Sequence, residues 1–413
     1  MERNFSSAAA EAVYGSGNSS SHIQRAVSAC QIYHPAMTEP EPLQFVGDNE
    51  VRWRHRTLVY FAGCDYFRLA RNAQVAAAVV SSLKANGLNV AASRRTTGNH
   101  KIYTQLETEL ARFFGVEAAL VLPDGYLASI AVAQALAGEF THTFIDEFAH
   151  GALADAAQML GCPVEKFKHR DVAGLANFIS KCGRNARPVI LTDGMFSHDG
   201  SVAPLREYLK ILPRRGMILV DDAHGAGILG TTGKGSSEHE KVSQKKIIQC
   251  ATLSKAFGVY GGVVLTSRAL RGKITSRSRS FIGTTPLPPP LAGAALASLK
   301  ILSREPARRK RLFRNLSFVR TKLRAAGWET LETPGPIVRL PAMNGAEVRE
   351  LKKLLLAARI YPSFLQYGGA AVRGYFRFVI SSEHTQTELD RLTAVLAAFK
   401  SECGQSRRKI FRL

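Results

Sequence analysis

Met217-Ile-Leu-Val-Asp221-Asp-Ala-His224-Gly225 and, further on, Ile247-Ile-Gln-Cys250-Ala-Thr252-Leu-Ser-Lys255-Ala-Phe-Gly258 share one plan: an apolar run, then polar residues, then a glycine. A short apolar run closed by a polar turn reads as a strand buried on both faces. The signal recurs between about 105 and 267. Ala118-Ala-Leu-Val-Leu122 ends at Pro-Asp-Gly125, Thr143-Phe-Ile145 at Asp146, and Val189-Ile-Leu191 at Thr-Asp-Gly194; Gly262-Val-Val-Leu265 follows the lysine segment. Helical stretches separate most of these runs. The pattern predicts an α/β chain built on a large, mostly parallel sheet with helices on both faces. In such sheets ligands gather at the carboxyl ends of the strands, where Ser197, Asp221, His224 and Lys255 are expected to fall.

On either side the composition changes. Residues 1–45 are rich in Ser, Ala and Gly, as in Gly15-Ser-Gly-Asn-Ser-Ser-Ser21, and are read as a flexible arm. The large domain is expected over 46–290. Thr284-Thr285-Pro286-Leu-Pro288-Pro289-Pro290 breaks any helix, and a long helical stretch is expected over about 291–326. Ile337-Val-Arg-Leu340, a helix near 345–358, Gly374-Tyr-Phe-Arg-Phe-Val-Ile380 and a final helix then suggest a smaller C-terminal α+β domain over 291–413.

With 413 residues, 46% of them hydrophobic, the chain has material for an ordinary globular core. Its six cysteines lack CxxC or metal-ligand spacing, so neither a disulfide framework nor a metal site is indicated. The first residues do not read as a secretory signal, and no apolar stretch reaches the roughly 18 to 20 residues needed to cross a bilayer, so a cytoplasmic protein is expected. The net charge of +22 is clustered at 304–324, at 268–279 and in the tail Arg407, Arg408, Lys409, Arg412. Most of it is read as solvated helix face, with a share available to attract a polyanion such as coenzyme A. No helix-turn-helix, zinc-finger or RNP-like run accompanies the charge, so no nucleic-acid partner is expected.

Taken singly, the chemical signals are weak. A lone Lys255 in a Ser-Lys-x-x-Gly turn is most often a solvated loop residue, and Asp221-x-x-His224 fits a metal half-site or a satisfied strand-end pair. Order and company change the reading. An amine at one strand end can form an imine with an aldehyde cofactor, and a carboxylate at another can hold a pyridine nitrogen protonated. That combination is the chemistry of pyridoxal 5'-phosphate (PLP).

From about 60 to 400 the motifs resemble, in the same order, the α-oxoamine synthases, PLP-dependent enzymes of fold type I that condense an amino acid with an acyl-CoA. The resemblance implies Lys255 as the residue bonded to the cofactor aldehyde and later the base that takes the substrate α-proton. It implies Asp221 as partner of the pyridinium nitrogen, His224 and Ser197 near the ring hydroxyl, and His150 stacked on the ring. Gly125 and Tyr126, at a strand-to-helix turn, and Thr252 would hold the phosphate. Thr284 and Thr285 would reach the phosphate of a neighbouring subunit, which implies a homodimer. Arg377 would grip the amino-acid carboxylate.

The sequence departs from the family pattern at two places. Tyr361, before Pro362, stands where a second arginine is usual, leaving that task undone or passed to a neighbour such as Arg373; Tyr103 stands where a histidine is usual. The function implied is an acyltransferase that joins an amino acid to an acyl-CoA thioester, releasing coenzyme A and, after condensation, the carboxylate. The alternative is an aminotransferase or another fold type I reaction at the amino-acid α-carbon, and a third class is a non-catalytic binding protein.

Overall fold

The computed structural model describes residues 41–366 and 374–410, with side chains described to residue 402. Most of the arm expected over 1–45, and the tail residue Arg412, lie outside the described residues. The chain enters through a small antiparallel meander of β1 (Gln44–Phe45), β2 (Glu50–Trp53) and β3 (Arg56–Val59).

Seven strands form the central sheet: β4 (Ala118–Leu122), β5 (His142–Asp146), β6 (Val164–Phe167), β7 (Pro188–Asp193), β8 (Met217–Asp221), β9 (Ile247–Thr252) and β10 (Gly262–Thr266), in the order β4-β10-β9-β8-β7-β5-β6. From β9 to β6 all pairings are parallel. β10 runs antiparallel to both β4 and β9. The residues between β9 and β10 are too few for the crossover that a parallel pair requires, so the chain folds straight back. The apolar runs predicted as strands are strands. β6 was not among them, because Val164-Glu-Lys-Phe167 is a half-exposed edge strand whose two charged side chains face solvent.

Each central strand is covered on both faces, so alternate residues feed different cores. In β10, Val263 and Leu265 join Tyr103, Leu106 and Phe257 on one side, while Val264 joins Leu120, Leu122 and Leu153 on the other. A third sheet, in the order β11-β13-β12, is antiparallel throughout: β11 (Ile337–Arg339), β12 (Phe364–Leu365) and β13 (Tyr375–Val379). The single helix expected over 291–326 is two, Pro289–Arg304 and Pro306–Ala325. Pro306 is the reason, since it has no N–H to continue the first helix yet suits the first turn of the second.

Many of the clustered basic residues are ties rather than free charges. Arg308 and Arg311 both bind Glu383, at 3.0 and 2.7 Å, and Arg309 donates to the carbonyls of Thr231 and Thr232. Arg320 is buried, with its guanidinium on the carbonyls of Gly335 and Ile337 at 3.1 and 3.2 Å. Arg271 reaches Glu107, and Lys273 and Arg277 share Glu139. No helix among the described residues is long and apolar enough to cross a membrane.

Candidate active site

The carboxyl ends of the parallel strands bring the predicted residues together. Lys255, in the turn after β9, has its Nζ 2.9 Å from His224 Nε2, and His224 Nδ1 lies 2.8 Å from the hydroxyl of the buried Tyr66. Asp221 closes β8. Beside it in register, Asp193 closes β7, and its Oδ1 accepts the backbone N–H of His150 at 2.9 Å. His150 in turn caps the helix Gly151–Met159 through its Nδ1, which lies 3.9 Å from Asp221 Oδ2. Gly125, Tyr126, His150, Asp221, His224, Thr252 and Lys255 line one cleft of about 120 Å³, together with Asp193, Ala223 and Ser254.

Burial sets the charge states. It pushes Asp193 well above the usual carboxylate range, and the neighbouring Asp221 charge adds to the effect. It lowers His224 far below the usual imidazole value, with Lys255 and Arg377 acting in the same direction. His150 is also lowered by burial, against the pull of Asp221. Both rings are therefore neutral near pH 7, and the chain Tyr66–His224–Lys255 can pass a hydrogen bond without carrying a fixed imidazolium charge.

The cleft fits PLP in its donor set. It offers an amine, a carboxylate already fixed by the Ala223 N–H at 3.0 Å, and the first N–H groups of the helix Gly125–Ala135. That helix start is pressed onto the sheet: a Cβ on Gly125 would stand 2.7 Å from Thr252 Cβ, and one on Gly262 would stand 2.0 Å from Asp124 O. Glycine is required there by close approach. The Tyr126 ring meets His150 edge-on at 6.0 Å.

Other expected residues sit differently. Thr252 lines the cleft, but its hydroxyl donates to Gly261 O at 3.0 Å and accepts from Ser254 N at 3.1 Å, so it also holds the turn that carries Lys255. Ser197 does not line the cleft; its carbonyl accepts from Arg377 Nη1 at 2.8 Å. Arg377 lies in the middle of β13, and its Nε is buried with no hydrogen-bond partner. Thr284 and Thr285 follow the helix Arg279–Gly283 and are not among the lining residues. Tyr103 belongs to the core: it is fully buried, donates to Leu287 O at 2.7 Å, and is pushed up to about 12 by burial despite the nearby Arg94. Tyr361 packs against Tyr60 and Trp53, at 5.8 and 6.3 Å between ring centres. Arg373 lies outside the described residues.

Asp193, Tyr66 and Ser254 are site residues that the sequence reading passed over. Asp193 ends a buried run just as Asp221 does, and that signal was available; Tyr66 lies in an irregular segment with no periodic cue.

The family described as aminotransferase class I and II matches residues 62–396. The 8-amino-7-oxononanoate synthase of Thioalkalivibrio sulfidiphilus is 34% identical over 348 residues, covering 83% of this chain and 88% of the relative. That of Symbiobacterium thermophilum is 32% identical over 358 residues, covering 84% and 90%. Among solved structures, Sphingomonas wittichii serine palmitoyltransferase has the same fold, with a TM-score of 0.83 at 23% identity over 93% of this chain and 96% of that one. The Francisella tularensis 8-amino-7-oxononanoate synthase gives a TM-score of 0.73 at 27% identity over 85% of this chain and 99% of that one. The chain belongs to the class I and II aminotransferase family, in its α-oxoamine synthase branch. It is a PLP-dependent enzyme of fold type I.

Proposed function

We propose that this enzyme condenses an amino acid with an acyl-CoA thioester, giving an α-aminoketone, carbon dioxide and free coenzyme A. The observation that carries the reading is the placement of Lys255 Nζ against His224 Nε2 in a cleft that also holds Asp221 and His150. The curated relatives, 32–34% identical over most of the chain, are named for an aminoketone product, which favours acyl transfer over transamination.

The cofactor, when bound, supplies an electron sink for the carbanion left after α-proton removal. The protein's part is positioning and proton control. Asp221, held by the Ala223 N–H, would pair with the ring nitrogen and keep its proton in place. Lys255 takes the α-proton, with the neutral His224 as its hydrogen-bond partner. His150, fixed by its cap contact and by Asp193, would help hold the ring. The Gly125–Tyr126 helix start and the Thr252 turn would hold the phosphate. Arg377 grips the amino-acid carboxylate, and its unpartnered Nε is a donor free for that purpose.

In this reading Thr284 and Thr285 complete the phosphate site of a second copy, so the working unit is a homodimer. The catalytic domain spans 46–290, the smaller domain 291–413, and the enzyme works in the cytoplasm. The direct assay follows free thiol after adding an acyl-CoA and glycine, alanine or serine. Thiol release that needs both substrates supports acyl transfer; a 2-oxo acid formed from the amino acid without thiol release would make the protein an aminotransferase.

A further inference from the structure

His169, His198 and Asp199 line no part of the cleft described above, yet one donor atom from each lies within 4.8 Å of those of the other two. His169 is already oriented as a ligand would be. Its Nδ1 lies 3.0 Å from Asp146 Oδ1, and Asp146 accepts two further N–H groups, from Phe148 and Arg170, each at 2.9 Å. With the carboxylate an acceptor on every side, the imidazole supplies the proton at Nδ1. The lone pair is then on Nε2, which is buried and has no hydrogen-bond partner. A histidine whose outer nitrogen is held by a carboxylate, leaving the inner one bare, is the usual support for a metal-bound imidazole. Across from it, His198 Nε2 stands 3.2 Å from Asp199 Oδ2. The rings of Phe148 and Phe196 close the sides, 4.8 and 4.4 Å from the His169 ring.

We propose that His169 Nε2, His198 and Asp199 bind one divalent first-row transition-metal ion of the zinc or cobalt class. Two imidazoles with one carboxylate select such an ion over magnesium or calcium, which prefer oxygen donors. Three protein ligands leave the fourth position open to water. The spacing in sequence hides the set, because His169 follows β6 whereas His198 and Asp199 belong to the loop after β7.

The ion would tie these two segments together. It would also brace the loop in which Ser197 O receives Arg377 and Asp199 O receives the Thr333 hydroxyl at 2.9 Å.

The test uses tag-free, cofactor-loaded protein stripped with a chelator and then titrated with Co²⁺, read by its visible d–d bands, with bound metal counted by elemental analysis after dialysis. We expect one equivalent per chain, lost in His198→Gln and in Asp199→Asn while the cofactor content of both stays native. Asp146→Asn, which leaves all three ligands in place, should weaken binding by about 10- to 100-fold. Sub-stoichiometric metal in the native protein, or full retention in His198→Gln, overturns the proposal.

Discussion

The strand ends of β8 and β9 and the loop after β7 are neighbours in the sheet, but they are held in different ways. Asp221 and Lys255 take their places from the strands that precede them, and their partners Ala223 and His224 follow within three residues of Asp221. Ser197 and Asp199 take theirs from distant chain: Arg377 on β13 grips Ser197 O, the Thr333 hydroxyl grips Asp199 O, and Gly335 N–H donates to Gly200 O at 3.0 Å. The first region is a rigid edge that aims reactive groups. The second is a joint between the central sheet and the chain around the third sheet, and its geometry depends on contacts from both. Substitutions at the edge should therefore damage chemistry, while those at the joint should damage substrate grip.

The largest effect is expected from Lys255→Ala. Loss of both the covalent anchor and the base should lower turnover by about a thousandfold or more, measured as thiol release at saturating substrates. Turnover within tenfold of native would remove Lys255 from the proposed chemistry. Asp221→Asn comes next: the amide keeps the shape but cannot hold the ring proton, and turnover should fall on the order of 10²- to 10³-fold with cofactor still bound. A drop in cofactor content with unchanged turnover per bound cofactor would mean that Asp221 only binds.

At the joint, Arg377→Ala removes a charge-assisted hydrogen bond worth about 1.5–3 kcal/mol, so amino-acid binding should weaken by about ten- to a hundredfold. Titration with glycine, alanine and serine, followed through the cofactor's absorbance, measures it. Tyr361→Phe should alter the same constant little, because that ring packs on Tyr60 and Trp53. A loss as large as that of Arg377→Ala would make the Tyr361 hydroxyl a substrate contact.

A pH effect sharpens the contrast from the stability side. Asp222, wholly buried beside Asp221, is pushed up to about 7 by burial, although its Oδ2 accepts from Ser236 N at 2.8 Å and Gln249 Nε2 at 2.7 Å. In the unfolded chain this carboxyl titrates at about 3.9. Between these values the native state keeps a proton that the unfolded state releases. The contribution is thus fully present below about pH 4, declines as pH rises, and is gone above about 7. Denaturant midpoints of native protein and Asp222→Asn at pH 5 and pH 8 should show the decline in the native chain and a flatter response in the variant. Equal slopes would exclude Asp222 as its source.

The same difference explains what could be read from sequence. Asp221, His224 and Lys255 were legible because each ends or follows an apolar run, and such runs give both the sheet and the edge at which ligands sit. Asp193 carries that signal too, at the end of Val189-Ile-Leu-Thr192, but an acidic residue closing a buried run does not by itself say which neighbouring side chain it holds. The role of Ser197 O as a seat for Arg377 was not legible. A backbone carbonyl has no sequence signature, and its partner is far away in the chain. Tyr103, read only as a departure from the family pattern, has its hydroxyl spent on Leu287 O in the core, a tertiary contact with no sequence signature. The split at Pro306 needed no tertiary information and follows from the missing N–H alone.

Borohydride reduction of the purified protein, followed by peptide mass mapping, tests the strand-edge account most directly, because it fixes the cofactor on the lysine that holds it. The account predicts the added mass on Lys255 and its absence from every other lysine. The same mass on a different lysine, with Lys255 unmodified, would contradict it.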